Sequence, residues 1–137
     1  MAKSIVMLLG IVLVVAGVLG FFTDPVLGTF AVNGMNNALH IIAGVLALAM
    51  ASMGARSAKT YGKIFGVIYL VLGILGFVMG TDTKLLGLFE VNTADNFLFT
   101  ILGLVLLFIG FSKAAASSSP RPLSGTPMYF KTGNAGH

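Results

Sequence analysis

Residues 5–22, 38–55, 64–80 and 97–112 form four apolar stretches that contain no Asp, Glu, Lys or Arg. Each is close to the roughly 20 apolar residues with which an α-helix crosses about 30 Å of hydrocarbon. Backbone N–H and C=O groups in lipid must find partners within their own segment, so such stretches fold as helices. The chain is therefore expected to be an all-α bundle of four transmembrane helices. Its composition agrees: 57% of residues are hydrophobic and 9% are charged, too apolar a balance for an ordinary soluble domain.

The charges between these stretches are sorted by sign. Lys3, Arg56, Lys59, Lys63, Lys113, Arg121 and Lys131 lie before the first, between the second and third, and after the fourth. Asp24, Asp82, Glu90 and Asp95 occupy the alternate connections, with Lys84 the one basic residue among them. Basic residues favour the cytoplasmic flank of a span. The pattern thus predicts a multi-pass protein of the cell membrane with both termini in the cytoplasm. The net charge of +4 comes almost wholly from those flanks, where the positive-inside bias and attraction to anionic lipid account for it without nucleic-acid binding. A basic start at Lys3 invites a signal-peptide reading, but no small-x-small cleavage site precedes Thr23, and the first span is expected to be retained. Cysteine is absent, which excludes disulfides, thiolate metal sites and thiol redox chemistry.

The second half of the sequence repeats the first. At a shift of 56, Lys3 meets Lys59, Gly10 meets Gly66, and Gly17-Val-Leu-Gly-Phe21 meets Gly73-Ile-Leu-Gly-Phe77. At a shift of 59, Leu27-Gly-Thr-Phe-Ala-Val-Asn33 meets Leu86-Gly-Leu-Phe-Glu-Val-Asn92, and Asn37, Leu39, Ile42 and Gly44 meet Asn96, Leu98, Ile101 and Gly103. Matching Gly and Asn positions carry the likeness, and shared hydrophobicity does not produce those. The expected bundle is two tandem helical hairpins in parallel orientation, residues 3–55 and 59–113, within a transmembrane unit of residues 1–113.

Gly10 and Gly17, with Gly66 and Gly73, stand seven residues apart on one helix face. Small residues let membrane helices approach closely. The expectation is that the first and third helices meet along these glycine faces, the alternative being a surface for another protein. Asn33 and Asn92 are natural N-caps, each followed three residues later by a side chain, Asn36 or Asp95, able to close a capping box. Phe30 and Phe89 are expected at the outer interface as the aromatic belt of a chain without Trp.

Asn33, Asn37 and His40 lie on one helix face, and Asn92, Asp95 and Asn96 on the matching face of the fourth helix. His40 falls about 10 Å past the cap at 1.5 Å per residue, and an ionisable group at that depth is a functional candidate. Phe99 is its repeat counterpart. An inter-repeat hydrogen-bond cluster is the plain expectation for these six residues; a site for a proton, a polar ligand or a lipid headgroup is the sharper one. One His supplies one ligand, so no metal or cofactor is expected. The carboxylates Asp82 and Glu90 are expected as solvated loop charge.

From residue 114 the chain turns rich in Ser, Pro and Gly, too poor in apolar surface to offset its ordering entropy. Within this basic tail, Met128, Tyr129 and Phe130, flanked by Arg121 and Lys131, form a candidate docking motif, with Pro120 and Pro122 keeping the connector extended.

The paired Leu-Gly-x-Phe-x-Val-Asn signature, followed by Asn37-Ala-Leu-His40 and Gly44, resembles a bacterial membrane family catalogued as domain of unknown function 4383. The resemblance covers residues 4–112. It implies a four-span fold with an Asn- and His-rich start to the second helix, and it implies no activity. Three classes of function stay open. A non-enzymatic structural or assembly protein, a subunit of a larger complex or of an array of its own copies, is favoured by the empty catalytic inventory. A small transporter or channel is the second; small multidrug exporters are of similar size but need a membrane-embedded carboxylate, and none of the four acids here lies mid-span. A redox or lipid enzyme would rest on His40 alone.

Overall fold

The computed structural model describes residues 1–80 and 83–113. The candidate docking residues Met128, Tyr129 and Phe130, with Arg121 and Lys131 beside them, and the loop carboxylate Asp82 lie outside the described residues. The described chain runs α1 (Ala2–Leu19), α2 (Gly34–Ser52), α3 (Ala55–Met79), β1 (Thr83–Leu85), β2 (Phe89–Val91) and α4 (Thr93–Phe111). All four helices are long and apolar enough to cross a membrane. The largest departure from the sequence boundaries is α3, which begins at Ala55 rather than at residue 64 and so includes Arg56, Lys59 and Lys63. A positively charged first turn is tolerable there because long basic side chains can extend toward the interface.

Apolar and polar surfaces are distributed as membrane immersion requires. Leu8, Ile11, Val15, Ile101, Leu104 and Phe108 face outward, whereas Asn36, Asn37, Asp95 and Asn96 are buried. An apolar exterior of this extent in water would drive association; in lipid it is the solvated face. The chain is a small multi-pass membrane protein.

The glycine faces do not join α1 to α3. A methyl group on Gly10 would stand 2.9 Å from the Gly44 carbonyl oxygen, and one on Gly44 would stand 2.7 Å from the Gly10 carbonyl oxygen. Gly17 abuts Asn37 and Ile41. These are all α1–α2 contacts. Gly66 packs on Gly103 and Leu107, Gly62 on Leu106 and Gly110, and Gly73 on Thr100, all α3–α4 contacts. Each glycine face is thus spent inside its own antiparallel hairpin. Close approach replaces absent hydrophobic driving force with dispersion contact, which is how small residues stabilise helix pairs in lipid.

The two hairpins meet around a core of larger side chains. Tyr61, fully buried, donates from its hydroxyl to the Ala43 carbonyl at 2.9 Å, tying α3 to α2. Its ring stacks on Phe65 at 4.4 Å. Tyr69, His40 and Phe99 form an aromatic cluster, with Tyr69 and Phe99 centroids 5.8 Å apart.

The loops carry structure that an all-α reading misses. β1 and β2 pair antiparallel, with Leu85 opposite Phe89, and Val26 forms an isolated bridge with Phe30 in the first loop. In both, a Leu-Gly pair makes the turn at positive φ: Leu27 at 53° and Gly28 at 68°, Leu86 at 53° and Gly87 at 71°. Two successive positive-φ residues match the right-handed twist of a tight antiparallel turn. Phe30 and Phe89 follow these turns and are half-buried, Phe89 against the core.

Candidate functional site at the loop end

Asn33 and Asn92 cap α2 and α4 as expected, accepting from the Asn36 and Asp95 backbone N–H groups at 2.9 and 3.0 Å. Their amide groups do more. The Asn33 Nδ2 donates to the Leu88 carbonyl at 2.8 Å, and the Asn92 Nδ2 donates to the Thr29 carbonyl at 2.7 Å. Each cap therefore grips the turn of the other hairpin. Asp95 closes a full capping box, its Oδ2 accepting from the Asn92 N–H at 2.9 Å, and the same atom accepts from the Ala31 N–H at 3.1 Å.

Asn36 does not close the corresponding box in the first hairpin. Its Nδ2 reaches instead to the carbonyls of Ala31 and Glu90. An amide nitrogen donates and a carboxylate only accepts, so the two capping positions take opposite partners: Asp95 gathers N–H groups and Asn36 gathers carbonyls. Together Asn33, Asn36, Asn92 and Asp95 make a reciprocal clasp between the loops. Asn36 is a full member of that clasp, beyond the capping role its spacing suggested; the remote carbonyls it reaches are fixed by tertiary packing.

Asn37, His40 and Asn96 stand apart from the clasp. Their side chains make no hydrogen bond to any described residue. Asn37 fills the space left by Gly20, and Asn96 fills the same space beside Gly76. The Asn37 Oδ1 and both polar atoms of the Asn96 amide are buried without partners. Neither pairs with the other repeat, so the six residues form no single hydrogen-bond cluster; three join the clasp and three do not.

His40 stacks on Tyr69 at 6.5 Å with the planes 16° apart and meets Phe99 at 6.1 Å. It also lines a cavity of about 240 Å³ between α1 and α4. Leu9, Val12, Leu13 and Ala16 form one wall, Leu98 and Leu102 the other, and the first loop from Val26 to Val32 covers the end. Among the described residues, His40 and Asp95 are its only titratable lining groups, and Asn33 and Asn37 do not line it. Of the Asn33/Asn37/His40 helix face, His40 is the residue that reaches this cavity. Among the described residues no group of three or more His, Cys, Asp or Glu side chains is placed to hold a metal ion.

No curated protein and no solved structure matches the chain. The family described as Domain of unknown function (DUF4383) matches residues 3–112, which takes in all four helices and both turn motifs. The chain belongs to that family.

Proposed function

We propose that the protein is a structural or assembly component of the cytoplasmic membrane, two tandem hairpins inserted in the same sense with both termini inside the cell, associating with other membrane subunits or with copies of itself. The observation that carries this reading is the use made of the polar side chains. Asn33, Asn36, Asn92 and Asp95 are committed to backbone groups of the opposite hairpin. A residue engaged in holding the scaffold is not free to turn over a substrate. The sorted charges at the helix ends support the insertion, and the repeat at shifts of 56 and 59 supports the tandem arrangement. The Met128-Tyr129-Phe130 segment supplies a candidate contact for a partner.

Purification from native membranes in mild detergent tests the reading. Defined, stoichiometric companion chains or a discrete oligomer are expected, and removal of residues 114–137 should release them without unfolding the bundle. A monodisperse monomer without companions would overturn it.

A further inference from the structure

The cavity between α1 and α4 goes beyond the assembly reading and does not rest on it. Its origin is a difference between the repeats. At the shift of 56, Leu13 occupies the position of Tyr69. Tyr69 fills its place against His40 and Phe99; the shorter Leu13 leaves a void on the α1 side, and Leu13 lines it. α1 and α4 touch at few positions, so no helix pairing closes the space. Val12 and Leu98, both on the cavity wall, are also exposed to the surroundings of the bundle.

An apolar cavity of about 150 Å³ admits benzene and stays dry. The cavity here, about 240 Å³, accepts a length of alkyl chain, and the bilayer supplies alkyl chains at its wall. Its polar groups select the end of that chain. Asp95 uses Oδ2 for both of its backbone bonds, and its Oδ1 accepts none from a described residue. The His40 ring has no hydrogen-bond partner among the described residues. Neutral imidazole offers one donor and one acceptor, and a carboxylate offers acceptors alone. A hydroxyl both donates and accepts, so it can meet the need of either group. A fatty-acid carboxylate would set like charge against Asp95.

We propose that this cavity binds a hydroxyl-ended amphiphile, its alkyl chain between α1 and α4 and its hydroxyl at His40 and Asp95. The test uses the full chain in phosphatidylcholine nanodiscs with hexadecanol carrying a mid-chain diazirine, photolysed and mapped by peptide mass spectrometry. Saturable labelling is expected on the α1 and α4 cavity walls, above the non-saturable labelling at the outward-facing Phe108. His40→Phe, which places the residue of position 99 at position 40, should weaken saturable labelling about fivefold, the worth of one net hydrogen bond. Leu13→Tyr should remove it by filling the void, and the matching diazirine hexadecanoate should label the walls less than the alcohol does. Wall labelling that does not saturate, or that is no stronger than at Phe108, would overturn the site in the unaltered protein. Equal labelling by acid and alcohol, with no effect of His40→Phe, would overturn the hydroxyl assignment.

Discussion

The Asp95 Oδ2 atom accepts N–H groups from both hairpins, the Asn92 cap of its own and Ala31 of the other. Hydrogen bonds to a charged acceptor are stronger than neutral ones, and a buried donor that loses its acceptor bears the full desolvation cost. Asp95→Ala should therefore lower stability by about 3 kcal/mol, measured by denaturant titration in detergent micelles. Asp95→Asn keeps one oxygen acceptor and should lose less. Leu86 offers a change of opposite sign. Its φ of 53° forces a Cβ-bearing apolar residue into the left-handed region, at about 1–2 kcal/mol relative to a residue at ease there. Leu86 is exposed, so Leu86→Asn loses little packing and should raise stability by about 1 kcal/mol in the same titration. A decrease would mean that the Leu86 side chain makes a contact worth more than the backbone relief.

At the level of helices, the glycine contacts predict which pairings a bulky residue breaks. Gly66→Val would drive its side chain into Leu107 and the Gly103 carbonyl, and overpacking of this kind costs about 1–3 kcal/mol. The loss should appear as separation of α3 from α4, read by disulfide trapping between cysteines introduced on those two helices. Trapping between α1 and α2 should be unchanged. The sequence showed the glycines to be on one face, since seven residues is two helical turns. It did not show which helix they face, because an apolar span is solvated by lipid on every side and its hydrophobicity does not distinguish inside from outside. The expectation that α1 and α3 meet along these faces failed; the signal that could have found the observed pairing is that short connections make consecutive helices neighbours, joined to the matched Gly44 and Gly103. The caps at Asn33 and Asn92 were legible because a cap is a local bond between residues three apart. The clasp was legible only in part, since Asn33 to Leu88 and Asn92 to Thr29 join residues more than fifty apart. The β1–β2 hairpin was hidden because Leu, rarely found at positive φ, stands in the turn where Asn or Gly would announce it. The cavity is lined by Leu13 where the other repeat carries the larger Tyr69, a difference visible in the repeat but without consequence until the helices are placed.

Over the whole molecule, the ends of the helices differ in what they can present to a membrane surface. At the end where α3 begins and α4 finishes, the Lys59 Nζ donates to the Ser112 carbonyl at 2.7 Å and Lys63 lies 5.1 Å from the centroid of the Phe111 ring. These contacts satisfy a C-terminal carbonyl of α4 and cover an exposed aromatic ring with a cation. The opposite end holds the clasp and the two Leu-Gly turns. Under the proposed insertion, the basic end faces the cytoplasm and the turns face outward. Reporters fused after residue 57 and after residue 113 should then signal the cytoplasm, while a reporter placed at Gly28 should signal the exterior. The physical argument also predicts how to disturb this. Cytoplasmic Lys and Arg near span ends hold orientation, whereas acidic residues contribute little. Replacing Arg56, Lys59 and Lys63 by Gln should produce a mixed reporter signal, and replacing Asp24 and Glu90 by Asn and Gln should not. An exterior signal after residue 57 in the unaltered protein would refute the insertion. If the acidic replacements mixed the signal as strongly as the basic ones, orientation would rest on something other than the basic flanks.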